Sequence, residues 1–235
     1  MDQKLREIVV RSDNIVFFGG AGVSTESGIP DFRSVDGLYH QQFRYPPETM
    51  LSHSFFASHP EEFFDFHRQK MLALDAQPNR AHIALAKLEQ QGKLRAVVTQ
   101  NIDGLHQKAG SKNVFELHGS VYRNYCQRCG KSYSAEFIRD SAGVPTCECG
   151  GIIKPDVVLY EEGLDNRVLL GAINAIEAAQ VLIVGGTSLA VYPAASLIDY
   201  FHGDWLVVIN KSPTPADGRA DLLINGSIGD ALDGI

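Results

Sequence analysis

Five short apolar runs, set between stretches of helical periodicity, constrain the fold of this chain more than any other feature. They occupy residues 14–18, 94–99, 114–117, 181–184 and 205–209. Each is continuous rather than alternating and rich in Val, Ile or Leu, the pattern of strands buried on both faces of a parallel sheet. Between them, residues 79–91 place Ala81, Ala84, Leu85 and Leu88 on one helical face and end at Gly92. Residues 165–179 do the same with Val168, Ala172, Ile176 and Ala179, and residues 193–202 open on Pro193 and stop before Gly203. Strands alternating with helices predict an α/β chain built on a doubly wound parallel sheet. Two stretches break the alternation. Residues 36–74 are aromatic-rich with no convincing strand, and residues 122–155 hold every cysteine. Both read as insertions that form a smaller domain, leaving 1–35, 75–121 and 156–235 as the large one.

Charge and length narrow the function classes. With 21 Lys and Arg against 28 Asp and Glu, the formal net charge is −7. Such a chain has no global attraction for nucleic acid or an anionic membrane, although a basic peptide still suits it. The longest run of apolar residues and glycine, 15–23, has nine residues and is too short to span a bilayer. The first residues have no signal-peptide pattern. A cytoplasmic protein is expected, with neither a membrane nor a specific nucleic acid as partner.

Ligands of open α/β sheets sit at the carboxyl ends of the strands. Here those ends carry Gly19-Gly20-Ala21-Gly22, then Gln100, Asn101 and Asp103, then His118-Gly119-Ser120, then Gly185-Gly186-Thr187-Ser188, and finally Asn210. Turns need glycine too, but Gln-Asn-x-Asp and Thr-Ser are poor turn punctuation and good ligand chemistry. Gly20 and Gly22 start a dinucleotide fingerprint whose third glycine is replaced by Thr25, and no acidic strand end follows about twenty residues on. An ordinary hydride-transfer dehydrogenase therefore fits poorly, and Asn210 is a candidate ribose ligand instead.

The cysteines read C-x2-C at Cys126 and Cys129, then 17 residues, then C-x-C at Cys147 and Cys149. Two close thiolate pairs on glycine turns suit a closed tetrahedral zinc site, structural rather than catalytic because no coordination position stays open. A redox dithiol or four free thiols are the competing readings. Of the eight histidines, His40, His53, His59, His67, His82 and His202 are expected to be structural or solvated. His106 should belong to the helix after the Asn101–Asp103 loop. His118 differs, since it stands at a strand end beside Gly119, where an imidazole can take a proton near pH 7. Ser24 and Ser188 lie in no nucleophile elbow, so a hydrolase triad is not expected.

The motifs GAGVSTESGIPDFR (residues 20–33), QNIDGLHQ (100–107), LHGS (117–120), the cysteine pairs, KPDVVLYEEGLD (154–165) and GTSLAVYPA (186–194) together resemble the sirtuins, which are NAD-dependent protein-lysine deacylases. The resemblance covers nearly the whole chain. It implies a Rossmann-like large domain, a zinc-bearing small domain, and a cleft entered by NAD and an acyl-lysine peptide from opposite sides. By motif, Ala21, Gly22, Thr25 and Arg33 would line the dinucleotide loop and Phe32 would cover the nicotinamide–ribose region. Gln100 and Asn101 would reach the ribose, and Ile102 and Asp103 would form the nicotinamide pocket. Thr187, Ser188, Asn210 and Ile228 would hold the adenosine half. Val158 and Tyr160 on one side and Val191 on the other would pair with an extended peptide. His118, with Asn101 and Asp103, would be catalytic, His118 acting as base toward a ribose hydroxyl on the way to O-acyl-ADP-ribose.

Two departures from the family pattern stand out. Tyr160-Glu161-Glu162 replaces the usual Phe-Gly-Glu, so that Glu161 stands where a glycine is expected. Relatives that favour acidic acyl groups carry a Tyr and an Arg where this chain has Phe64 and His67, so acetyl or another uncharged acyl group is the expected substrate. A protonated His67 could partly replace that arginine near pH 6. The same site chemistry also allows transfer of ADP-ribose to protein. A nucleotide-sensing zinc ribbon that binds nucleic acid is a further alternative, but residues 122–151 hold four Lys or Arg with three acids, hardly a basic patch.

Overall fold

The computed structural model describes residues 2–32, 37 and 43–234. Its larger sheet is built from β1 (Ile15–Gly19), β2 (Leu94–Thr99), β3 (Val114–Glu116), β7 (Val181–Gly185), β8 (Trp205–Asn210) and β9 (Leu222–Asn225). All pairings are parallel and the order is β3-β2-β1-β7-β8-β9. Every residue of β1 and β7 is buried, as their unbroken apolar sequences require.

Nine α-helices are present among the described residues: α1 (Gln3–Arg11), α2 (Pro47–Met50), α3 (His53–Ser58), α4 (Pro60–Phe66), α5 (Arg80–Gln90), α6 (Leu105–Ala109), α7 (Ala135–Asp140), α8 (Asn166–Glu177) and α9 (Ile228–Ala231). One face of the large sheet packs Leu5, Ile8 and Val9 of α1 and Leu85 and Leu88 of α5 against Phe17, Val97 and Ile183. The other packs Ala172 and Ile176 of α8 and Leu197 and Ile198 against Phe18, Val98 and Val184. The segment expected as a helix over 193–202 is a 3₁₀ helix, Ala194–Tyr200.

A second, antiparallel sheet runs in the order β5-β4-β6, from β4 (Gly119–Cys126), β5 (Ser132–Tyr133) and β6 (Ile153–Val157). β4 runs across residue 121. Phe55, Phe56, Phe63, Phe64 and Phe66 of α3 and α4 share a third hydrophobic cluster with Cys126, Ile138, Cys147 and Ile153. The aromatic segment and the cysteine segment, far apart in sequence, thus form one core.

Three histidines are buried as neutral rings. His67 stacks on Phe63, and His82 and His106 pack ring to ring at 4.8 Å. Burial lowers His67 and His106 to about 3 and His82 to about 4. Below pH 6.5 the unfolded chain takes up protons that these folded rings refuse, so stability should fall with pH and be unaffected by them above it. At pH 5 each costs about 2 kcal/mol. Urea unfolding should therefore show a clear drop in midpoint from pH 7.5 to pH 5, and an unchanged midpoint would refute the neutral burial.

Candidate active site

The strand order reverses between β1 and β7, and in open α/β sheets the carboxyl ends of the strands at such a switch point are where ligands bind. After β1 the chain makes two 3₁₀ turns, Ala21–Val23 and Thr25–Ser27. Gly22 N–H donates to the Gly186 carbonyl at 2.8 Å. A Cβ on Gly22 would lie 2.8 Å from Gly186 Cα, and one on Gly20 the same distance from Thr187 Cβ. These glycines are therefore required where the β1 and β7 loops meet backbone to backbone. Thr25 Oγ1 closes the loop onto the Gly22 carbonyl at 3.0 Å.

Beside this loop stands a polar relay. Ser24 Oγ donates to Asp103 Oδ2 at 2.6 Å and accepts from Asn101 Nδ2 at 3.0 Å. Asp103 Oδ1 accepts from Leu105 N–H at 2.9 Å. Asn101, 9% exposed, thus spends its amide nitrogen on Ser24, which fixes the orientation of its amide group. Ile102 is half-buried, with its carbonyl accepting from Val121 N–H at 3.1 Å. Gln100 Nε2 reaches across to Thr187 Oγ1 at 3.0 Å, joining the ends of β2 and β7. Ser24, which lies in no nucleophile elbow, is what joins Asn101 to Asp103. Asn79 was also missed: its Nδ2 donates to Val23 O at 2.8 Å and Ser27 Oγ at 3.0 Å while its Oδ1 caps α5 at Ala81. An Asn just before a helical pattern is a capping signal, but its hold on the β1 loop is a tertiary contact.

His118 follows β3, and its Nδ1 lies 2.8 Å from the Gln100 carbonyl. A carbonyl only accepts, so Nδ1 carries the proton and the neutral ring keeps its lone pair on Nε2. Burial holds the His118 pKa below its ordinary value, and the Gln100 carbonyl pulls it back up. Gly119, next in the chain, has φ +77°, and a Cβ there would lie 1.9 Å from the Asp156 carbonyl. Only glycine lets β4 cross β6 so close to His118.

The His118 carbonyl accepts from Val158 N–H at 3.0 Å. Tyr160 N–H donates to Leu51 O at 2.9 Å and Tyr160 O accepts from His53 N–H at 3.0 Å. The backbone of Tyr160 is thereby taken by the chain itself, and the residue is 38% exposed. Val191 is half-buried in the segment after β7. Thr187 is buried and Ser188 exposed at the end of β7. Asn210 ends β8 with its Nδ2 donating to Ser212 O at 2.7 Å. Ile228 opens α9 and is buried against Gly185. Ala21 and Phe32 are half-buried, Phe32 against the third cluster. Arg33 and His40 lie outside the described residues.

The four cysteine sulfurs lie within 4.8 Å of one another, with Cys126–Cys149 at 3.4 Å and Cys129–Cys147 at 3.6 Å. Zinc–sulfur bonds of about 2.3 Å in a tetrahedron place sulfurs about 3.8 Å apart. The donor set and its spacing fit one zinc ion bound by Cys126, Cys129, Cys147 and Cys149, with no position left for a substrate.

The Sir2 family model matches residues 20–193 of the chain. A protein of Clostridium acetobutylicum named NAD-dependent protein deacetylase is 62% identical over 98% of this chain and 96% of its own length. One of Clostridium perfringens with the same name is 64% identical over 97% and 96%. Among solved structures, Sir2 with a deacetylated p53 peptide and 3′-O-acetyl ADP ribose has a TM-score of 0.91 at 42% identity, covering 99% of this chain and 96% of the other. Sir2 with p53 peptide and NAD⁺ has a TM-score of 0.88 at 43% identity with the same coverage.

Proposed function

The chain belongs to the Sir2 family, and from that membership and the site geometry we propose that His118 is the general base of its reaction. The protein is an NAD-dependent protein-lysine deacetylase that releases nicotinamide, free lysine and O-acetyl-ADP-ribose. The observation that carries the assignment of the base is the Gln100 carbonyl on His118 Nδ1, which leaves Nε2 aimed as an acceptor. When bound, NAD supplies a nicotinamide leaving group and an electrophilic ribose carbon for the acetyl oxygen. Ala21, Gly22, Thr25, Phe32 and Arg33 are proposed to line its passage. Asn101 Oδ1 accepts from a ribose hydroxyl while Ser24 holds the amide in that orientation. Asp103, with Ile102 beside it, accepts from the carboxamide through lone pairs that Ser24 and Leu105 leave open. Gln100, Thr187, Ser188, Asn210 and Ile228 bound the ribose and adenosine side. His118 Nε2 takes the proton of the attacking ribose hydroxyl, which a neutral imidazole does well near pH 7. The extended acetyl-lysine peptide lies between Val158–Tyr160 and Val191. Zinc holds the turns of the small domain and takes no part in chemistry. We infer a cytoplasmic setting; among the described residues no helix is long and apolar enough to cross a membrane.

Mass spectrometry of an acetyl-lysine peptide with and without NAD tests reaction, co-substrate and product together. Loss of the acetyl group only with NAD, matched by O-acetyl-ADP-ribose, is expected. ADP-ribosylated peptide that keeps its acetyl group would overturn the reading.

Acyl choice follows from burial. Phe64 and His67 are 0% and 1% exposed, and His67 is held neutral down to about 3. The idea that a protonated His67 replaces an arginine near pH 6 is therefore corrected: burial keeps the ring uncharged there. Neither Phe64 nor the neutral His67 offers a succinyl carboxylate a charge, and the nearby cations Arg68 and Lys154 are already engaged by Asp65 and Glu162, so burying that carboxylate costs several kcal/mol. Acetyl should exceed succinyl in kcat/KM by at least about tenfold at both pH 6 and pH 8. Succinyl turnover that catches up at pH 6 would show that His67 does charge.

A further inference from the structure

The segment after β6 is clasped to the start of α3 by side chains that the reaction does not use. Glu161 Oε2 accepts from Ser54 N–H at 2.9 Å and from Ser54 Oγ at 2.6 Å. Both bonds hold the Glu161 carboxyl below its ordinary pKa, so it stays ionised near neutrality. Next to it, Glu162 Oε1 meets His53 Nδ1 at 2.8 Å, and Glu162 Oε2 accepts from Leu159 N–H at 2.9 Å and Lys154 Nζ at 3.1 Å. The backbone adds the Tyr160 bonds to Leu51 and His53. Residues 158–162 are thus pinned to residues 51–54 at several points.

Glu161 does this from a left-handed backbone, with φ +76°. A side chain with a Cβ disfavours that region, and glycine enters it freely. Glycine would relieve the conformation but would bring no tether and would let the segment move. The strained residue persists where its surroundings over-determine it, and here the surroundings are the two donors of Ser54. The carboxylate, not the backbone preference, selects the shape of the segment.

We propose that Glu161 is a positioning residue for the peptide substrate, its carboxylate on Ser54 holding residues 158–160 in the shape that receives an acetyl-lysine chain. This rests on the reading that residues 158–160 form one wall of the peptide cleft. A wall fixed before binding spares the complex the ordering cost, so the effect should fall on peptide affinity and not on the chemical step.

The test is steady-state kinetics of the full chain with an acetyl-lysine peptide. Glu161→Gly removes both bonds and frees the backbone. It should raise the peptide KM about tenfold, with kcat and the KM for NAD within about twofold. Glu161→Gln keeps an acceptor oxygen for Ser54 and should restore most of the peptide KM. Ser54→Ala should raise it less than Glu161→Gly, and the double variant should show less than the combined loss, since the pair acts as a unit. A merely structural role would lower the melting temperature without separating peptide KM from kcat. If Glu161→Gly keeps the wild-type peptide KM, or if NAD KM rises equally, the positioning role falls while the functional reading stands. If the wild-type chain shows no saturable NAD-dependent turnover, both fall.

Discussion

His118→Ala should lower kcat/KM for an acetyl-lysine peptide by roughly 10²–10⁴-fold, the loss typical of a removed general base. NAD affinity measured by calorimetry should stay near wild type, because the relay of Ser24, Asn101 and Asp103 does not include the His118 ring. The variant should also fold normally. His118 contributes its backbone carbonyl to Val158, and alanine keeps that carbonyl. The pH profile gives an independent readout. Burial lowers the His118 pKa, so its unprotonated, active form persists to a more acidic pH than for a free histidine. The acid limb of kcat/KM should therefore lie below 6.5, the ordinary histidine value, and should vanish from the residual activity of the variant. Near wild-type turnover by His118→Ala would remove the residue from its role.

Loss of the metal should have the other large effect. Structural zinc in small cysteine sites binds with about 10–16 kcal/mol, and that binding energy is folding energy. Cys126 and Cys147 belong to the same core as Phe55, Phe64, Ile138 and Ile153. Cys126→Ala should lose the ion and lower the melting temperature sharply. Activity should fall with it, although no zinc-bound group reacts. The reason is mechanical: β4 starts at Gly119, beside His118, and β6 ends at Val157, beside Val158. Releasing the far end of that sheet would free both the proposed base and the proposed peptide wall. Metal analysis of the pure protein should find zinc at about one per chain, and its absence would overturn the reading of the cysteines.

How much of this was legible beforehand differs from element to element. The runs that became β1, β2, β3, β7 and β8 were readable because a strand buried on both faces has no reason to alternate. β9 was not, since Leu222–Asn225 is a short edge strand that is half-exposed and polar at one end. β4 and β6 straddle the two ends of the cysteine segment, where turns and metal ligands interrupt any period. α1 could have been found. Asp2 caps it, and Leu5, Ile8 and Val9 repeat at helical spacing. The cysteine ligands and His118 were marked by local context, a paired spacing and a strand end. Ser24 carried no such mark, because the atoms it joins lie 77 and 79 residues away.

By itself the sequence determined the parallel α/β character, the polar groups at the strand ends and the four-thiol cluster. These are properties of periodicity and spacing, and each is written within a few neighbouring residues. Only the tertiary structure decided that the strands order as β3-β2-β1-β7-β8-β9, which puts the topological switch point between β1 and β7. It also decided that the Gln100 carbonyl selects the His118 tautomer, that burial keeps His67 uncharged, and that Glu161 stands left-handed on Ser54. Each of these is a contact between segments far apart in the chain. Its energy depends on where the backbone places two groups, so neither segment carries a signal of it alone.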